Sequence, residues 1–536
     1  MNRAVAELYA PDIITLATKP DTPRIPFKHE VFEEAVEWLH KEGRYTADML
    51  ADPHAHRLVE ETYNALNGAI GSSITQEMPE EMTYALRNNA FIFSGFKTHR
   101  TLSEVGLELT DDEGNLKPYA KVLEDVRRID DKYNGAYLYA EYNHAVHTTQ
   151  MAVKWQDFVR DGDEYNLQYR TAGDERVREA HLALDGVTLP PSDKFWDRYL
   201  PPNGWNCRCT VVQVLREDFP LSDSEEAIKR GDESTQSIKQ QMFRFNPGKT
   251  LELFPPKHPY YKVTKEVKQV VEQVSAEEIK QRRIAELRQA LPDNLTETEK
   301  DAIAANNYEL EKAMGIVIGK RMSVDEADKQ SANPAYVPRL IIDPAGMYRD
   351  QHYRYSINPA YNEKRDMPNA INCQTCAPAY ALRLMGFKVT AKPNTKGSKL
   401  EYLSRGMNAW EVWRNPDGTP ARHTSLNSWL DSKGYKKPTP KRYLEFFEEV
   451  CKDEGVYELS IAWKRGGGHA TILQRFADGT LRYIEPQADN SAGSGFEWKD
   501  VEYLANAGAT KNHECRGIMR VDNKLFNIAH IDIFDK

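Results

Sequence analysis

No uninterrupted apolar stretch approaches the roughly 18 residues needed to cross a bilayer. The opening residues, Met1 to Pro20, carry Arg3, Glu7 and Asp12 in place of a continuous apolar core. Neither membrane association nor a secretory signal is expected. Cysteine is scarce, six in 536 residues. That is too few for a disulfide framework, and four of the six fall into two close pairs, Cys207/Cys209 and Cys373/Cys376, which reads as reduced thiols. No period of about 20 to 50 residues recurs, so solenoids and propellers are excluded. The chain also lacks a dense basic stripe at a formal net charge of −10, and no sequence-specific nucleic-acid partner is expected.

What the sequence does contain is modular. At about 150 residues per domain, this length implies three or four folded units. A composition of 40% apolar and 28% charged residues, with 30 Gly and 29 Pro, gives each unit enough material for a core and excludes collagen, coiled-coil fibre and wholesale disorder. Charge is divided unevenly. Residues 371 to 536 hold 24 Lys+Arg against 20 Asp+Glu, leaving 47 against 61 in the first 370, so the end piece is +4 and the rest −14. The two parts are expected to do different jobs.

The predicted class is multidomain α+β. Residues 1–28, with four prolines and little periodicity, read as an extended arm. From His29 the spacing of Phe32, Ala35, Val36 and Leu39 predicts a helix with one buried face. A long helix is expected over Ala136 to Phe158, with His144 and His147 one turn apart. After Asp161, short apolar alternations separated by Asp-Gly, Pro-Pro and Asn-Gly predict a small α+β module. It ends in a strand from Cys207 to Leu215, on which Cys207, Cys209 and Val211 share a face. These elements place a largely helical first domain at 29–262. Residues 263–332 read as a charged helical connector, with Val267, Val270, Val271 and Val274 at helical intervals. Met322 to Pro368 reads as loop leading into a final domain at 333–536.

Arg170 to Arg178 (RTAGDERVR), His181, Leu184-Asp185-Gly186, Phe195-Trp196 and Gly204-Trp205-Asn206-Cys207-Arg208-Cys209 occur in order. Together they resemble the phage Mu F-like minor head proteins over roughly residues 30 to 260. The resemblance implies a head-morphogenesis protein near the portal. His181 with Cys207 and Cys209 offers three soft ligands for zinc, and His144 or His147 is a candidate fourth. The competing reading is two small buried thiols and a structural histidine. The charge cluster Asp174, Glu175, Arg176 and Arg178 reads as structural ion pairs.

The back half points to a cysteine nucleophile. Residues 369–391 predict a helix with Ala377, Tyr380, Ala381 and Leu384 on one face, ended by Gly386 and followed by a strand from Phe387. A cysteine at the helix start feels the positive end of the helix dipole, which favours thiolate. Pro378 argues for a start near Cys376, because proline prefers the first turn. The thirteen-residue span from Cys373 to Gly386 favours Cys373. Downstream, Gly466-Gly467-Gly468-His469 opens a strand, Asp478-Gly479 turns the chain, and Leu481 to Ile484 returns it into Glu485-Pro486-Gln487. Such a hairpin brings Glu485 or Gln487 beside His469 as its orienting group.

The order of cysteine helix, Gly-His strand, then acid and Gln resembles the papain-like fold. More closely it resembles papain-fold toxin domains proposed to be protein-glutamine deamidases, whose patterns include Asn-Cys-x-x-Cys, Gly-His and Asp-Pro-Gln. Glu485 stands where that pattern has Asp. The implied chemistry is attack of the thiolate on a carboxamide carbon, with backbone N–H groups at the helix start binding the oxyanion, and with Asn372 or Gln374 as further partners. No cofactor is required for it. A zinc site at Cys373/Cys376 would need two further ligands, for which Cys451, Cys515 and His513 are the candidates.

The combined expectation is a minor head protein, located in the virion near the portal, that carries a papain-like hydrolase acting on a host protein after entry into the host cytoplasm. Its expected partners are the portal, other head proteins and that substrate. The rival readings are a structural protein with an inactive papain-like domain and a head-maturation protease.

Overall fold

The computed structural model describes Val5, Leu8, Tyr9 and residues 25–74, 78–328, 332–336, 369, 371–405, 408–464, 466–487, 499–511, 513 and 515–536. The architecture is multidomain α+β, about half helical with small sheets. The chain divides into two compact units, Met1–Ile279 and Lys280–Lys536. The expected loop over Met322 to Pro368 lies mostly outside the described residues, as does most of the expected arm. Where that arm is described, the expectation is corrected: Val5, Leu8 and Tyr9 are helical and buried, because their apolar side chains join the first core.

The first unit is built on α1 (His29–Glu42), α2 (Pro53–Ser73), α3 (Glu80–Glu108), α4 (Tyr119–Asp130) and α5 (Leu138–Arg160). α1 buries Phe32, Ala35, Val36, Trp38 and Leu39, the face that the spacing predicts, and ends at Gly43 in the left-handed region with φ 68°. α2 starts where the Asp52 carboxylate accepts from the His54 N–H and Pro53 takes the first helical position. Lys97 of α3 and Glu141 of α5 form an ion pair buried to 1% and 0% exposure. Glu141 Oε1 also accepts from the hydroxyls of Tyr9 at 2.6 Å and Tyr260 at 3.1 Å. This carboxylate is therefore fully compensated, which a buried charge requires.

A three-stranded antiparallel sheet follows, from β1 (Tyr165–Arg170), β2 (Thr188–Leu189) and β3 (Thr210–Leu215) in the order β2-β1-β3. The expected strand start at Cys207 is corrected to Thr210. β1 ends at Arg170 opposite Thr210, so residues 207–209 have no strand to pair with. Instead Asn206 turns the chain at φ 52° and Cys207 N–H closes onto the Gly204 carbonyl.

The division between units falls within α6 (Lys265–Gln289). Residues read as a charged connector contribute to both cores: Val271 to the first, and Leu287, Leu291 and Leu295 to the second. α7 (Glu297–Met314) is capped by a Thr296–Glu299 box and buries Ile303, Ala304 and Leu310. The rest of the second unit is organised by α8 (Cys373–Leu384), β4 (Thr424–Ser425), α9 (Pro440–Val450), β5 (Gly455–Ala462), β6 (Gly468–Arg475), β7 (Leu481–Ile484), β8 (Lys499–Asp500), α10 (Glu502–Ala507) and β9 (Gly517–Arg520).

The six strands form one antiparallel sheet in the order β8-β7-β6-β5-β9-β4. All eight residues of β5 are buried, because both faces of the sheet are covered. Val456, Ile472 and Ile484 join the core that contains α8. Tyr457, Leu459, Ile461 and Leu473 pack with Tyr443, Phe446 and Phe447 of α9. Period-two side-chain alternation thus sends neighbouring residues into two different cores.

Two buried groups give testable consequences. Replacing Lys97 by Met leaves the Glu141 charge uncompensated, and urea denaturation is expected to show a loss of about 3–5 kcal/mol. Glu458 on β5 is fully buried; Trp413 Nε1 donates to its Oε2 at 2.9 Å, while Oε1 has no partner among the described residues. Burial raises its pKa to about 7, against the smaller lowering effect of the Trp413 bond. The native state therefore holds a proton that the unfolded chain releases near its ordinary value, so stability falls as pH rises from about 4.5 to 7, by about 3 kcal/mol in full. Glu458→Gln is expected to remove that slope when stability is measured across this range.

Candidate active site

α8 begins at Cys373, with Asn372 as its N-cap at φ −100° and ψ 23°. Pro378 lies within the helix, in its second turn, so the start near Cys376 that proline suggested does not occur. The cost is the one backbone bond that residue 378 would have donated to Gln374. Gly386 follows the helix at φ 100°, and a Cβ there would lie 2.3 Å from the Gly319 carbonyl oxygen, which only glycine avoids. The strand expected from Phe387 begins at Thr390, where Thr390 and Ala391 pair with Asp535 and Phe534.

α8 lies against β6, whose second residue is His469. β6 and β7 form the expected hairpin, with Ile472 opposite Ile484 and Gly479 in its turn at φ 81°. Glu485 follows β7 directly, and its Oε2 sits 2.6 Å from His469 Nε2. The same oxygen accepts from the Tyr483 hydroxyl at 2.5 Å, and Oε1 accepts from the Gln487 N–H at 3.0 Å. Glu485 engages Nε2, and the His469 imidazole and the Cys373 thiol shift each other's protonation. Trp463 stacks over the His469 ring at 5.7 Å between centroids.

The electrostatics follow from this packing. Burial pushes the Cys373 thiol up, but the hydrogen bond and charge of His469 outweigh it and bring it below the ordinary value. Burial pulls His469 down, while the Glu485 charge and the Cys373 thiol together raise it to about 10. The arrangement favours a thiolate–imidazolium pair. Cys376, one turn on, is completely buried and its thiol is pushed well up by burial. Cys373 is half-buried. Of the two cysteines, Cys373 is the one brought to His469.

Gln487 takes a different place from the one beside His469 that the hairpin allowed. With its carboxamide oxygen turned toward donors, it accepts from the N–H groups of Cys373 at 2.9 Å and Asn372 at 3.1 Å. It thereby occupies the helix-start donors that were expected to hold an oxyanion. Asn372 is also engaged, donating to Asn333 Oδ1 at 3.0 Å and the Lys392 carbonyl at 3.1 Å. Gln374 Oε1 has no partner among the described residues. Sequence reasoning missed Trp463, Tyr483 and Asn333. Tyr483 was legible as a residue two before the carboxylate on one strand face, whereas Asn333 reaches Gln487 from 154 positions away.

In the first unit, His181 Nδ1 lies 3.6 Å from Cys207 Sγ and 3.4 Å from Cys209 Sγ. Neither His144 nor His147 joins this cluster among the described residues. His144 is buried among Trp205, Phe243 and Phe254, and burial lowers it to about 3. His147 Nδ1 instead meets the Cys207 carbonyl at 2.5 Å. Asp174 pairs with Arg208 through two bonds of 2.6 Å, an exposed structural contact.

Residues 113–212 match the family model of the Phage Mu protein F like proteins. This Mu F-like segment takes in α4, α5, β1, β2 and the His181/Cys207/Cys209 cluster. The chain is 27% identical over 169 residues to "Putative capsid assembly protein F" of Escherichia phage Mu, covering 31% of this chain and 35% of that protein. It is 43% identical over 65 residues to the Mu-like prophage FluMu F protein of Haemophilus influenzae, covering 12% of this chain and 16% of that one. The chain thus spans about a third or less of these curated relatives. No solved structure matches it. Among the described residues, no helix is long and apolar enough to cross a membrane.

Iodoacetamide at pH 6 is expected to modify Cys373 ahead of the half-exposed Cys515 and the buried Cys376. His469→Ala should return Cys373 to or above the ordinary thiol pKa of about 8.5, leaving at most about three thiolates per thousand at that pH. Peptide mapping of the labelled cysteines, wild type against variant, reads both outcomes.

Proposed function

We propose that the protein is a head-morphogenesis component whose second unit is a papain-like cysteine hydrolase directed at carboxamides. The observation that carries this reading is the His469–Glu485 hydrogen bond beside a cysteine, Cys373, that starts a helix and whose thiol pKa His469 lowers. A nucleophile, a proton carrier and an orienting carboxylate in that order are the minimum for thiol acyl transfer.

In this reading the Cys373 sulfur forms a bond to the carboxamide carbon, and the His469 imidazolium gives its proton to the departing nitrogen as the C–N bond breaks. Neutral His469 then takes a proton from water as the hydroxyl attacks the thioester, and the thiol is released with a carboxylate product. Glu485 keeps the ring oriented and the imidazolium stable throughout. Asn-Cys-x-x-Cys, Gly-His and Glu-Pro-Gln favour side-chain glutamine as the substrate amide, hence deamidation of a host protein. The portal and other head proteins would be the partners of the first unit, and the virion near the portal its location. The two units have separate cores, so one chain can serve assembly and chemistry without either fold depending on the other's site.

The test is full-length protein incubated with host lysate, followed by mass spectrometry of peptides. Glutamine-to-glutamate conversion is expected with wild type, absent with Cys373→Ala and slowed by about 10²–10⁴-fold with His469→Ala. New peptide termini with unchanged glutamines would replace deamidation by proteolysis. Identical peptide sets from wild type and Cys373→Ala would remove the hydrolase reading.

A further inference from the structure

Three soft donors converge in the first unit at separations that suit a metal ion. His181 Nε2 faces the Asn203 carbonyl at 3.3 Å, which places the ring proton there and leaves Nδ1 as a lone pair. That nitrogen faces two sulfurs, at 3.6 and 3.4 Å. One lone pair cannot accept from both thiols at once. A metal ion placed among the three satisfies all of them, and the observed nitrogen–sulfur separations match the roughly 3.6 Å edge of a tetrahedral zinc site with bonds of about 2.1 and 2.3 Å.

The surroundings fit the same chemistry. Cys207, Cys209 and His181 are 2%, 9% and 4% exposed, so the donors are withdrawn from bulk water. The Asn203 carbonyl supplies the second contact that metal-binding imidazoles ordinarily have, and Asn203 is itself held by the Tyr169 hydroxyl at 2.9 Å. Thiolate and imidazole donors select zinc over magnesium or calcium, which prefer oxygen. The three residues also line a cavity of about 610 Å³, shared with Asn143, His147 and Asn206. No fourth protein donor joins the cluster among the described residues.

We propose that His181, Cys207 and Cys209 bind one zinc ion, with the fourth position taken by water from this cavity. The ion clamps the segment Cys207–Cys209, which leads into β3, to the short helix Glu179–Leu182. It thereby fixes a part of the Mu F-like segment that has little regular hydrogen bonding of its own.

The experiment uses the full-length chain expressed with zinc and dialysed against a weak chelator. About one zinc per chain is expected, retained in Cys373→Ser/Cys376→Ser and lost in Cys207→Ser, Cys209→Ser and His181→Ala. Cobalt substituted into the wild-type chain should show a thiolate charge-transfer band and tetrahedral d–d absorption, a reading that needs no variant to fold. A substoichiometric trace of zinc, a full equivalent kept by Cys209→Ser, or cobalt without thiolate absorption would each overturn the assignment.

Discussion

A carboxylate with all its acceptor demands met inside the fold is the constraint on which the candidate site rests. Glu485 is 5% exposed and receives the His469 imidazole and the Tyr483 hydroxyl on one oxygen and the Gln487 amide on the other. Removing a charge from water is tolerated only when such partners replace it. Once held, the carboxylate orients the ring of His469 and raises the imidazole's basicity. The ionisation of the thiol depends on that carboxylate through the imidazole. The longer Glu side chain, where the resembling pattern has Asp, is accommodated because the residue lies just beyond the end of β7 and can reach back to the start of β6.

The first unit solves the same problem differently. Its buried carboxylate, Glu141, is met by Lys97 and two tyrosines, with His258 Nε2 in turn 3.1 Å from the Tyr9 hydroxyl. Around this network lie stacked rings, Tyr9 on Tyr137 at 3.8 Å and Phe93 on Phe254 at 3.7 Å. The network reads as a device for specifying one packing of the helices.

Much of this organisation was legible in the residue pattern. Helix α1 buries the face its spacing predicts, the β6–β7 hairpin turns at Asp478-Gly479, and Glu485 meets His469. These features are local, or depend on one short turn, so periodicity and turn chemistry suffice. Errors arose where a partner was needed. The strand expected at Cys207 fails because β1 ends at Arg170; the start at Cys373, favoured over the one near Cys376 that Pro378 suggested, stands because the chain tolerates one missing backbone bond inside α8. Asn333 and Trp463 were unreadable because their roles are defined by residues distant in sequence or by a ring laid over another.

By itself the sequence determined the inventory: which thiols, imidazoles and carboxylates exist, which lie at helix starts or strand ends, and that the two halves differ in charge and texture. Tertiary structure separated Cys373, which the helix length already favoured, from Cys376: both lie near the same helix start, but His469 lowers the pKa of the first thiol while the second is sealed in the core. It likewise assigned Glu485 to the imidazole and Gln487 to the helix start. The reason is physical. Spacing along a chain fixes the direction in which a side chain leaves its own element, but the distance to a partner is set by how two elements pack, and hydrogen bonds and pKa values depend on that distance.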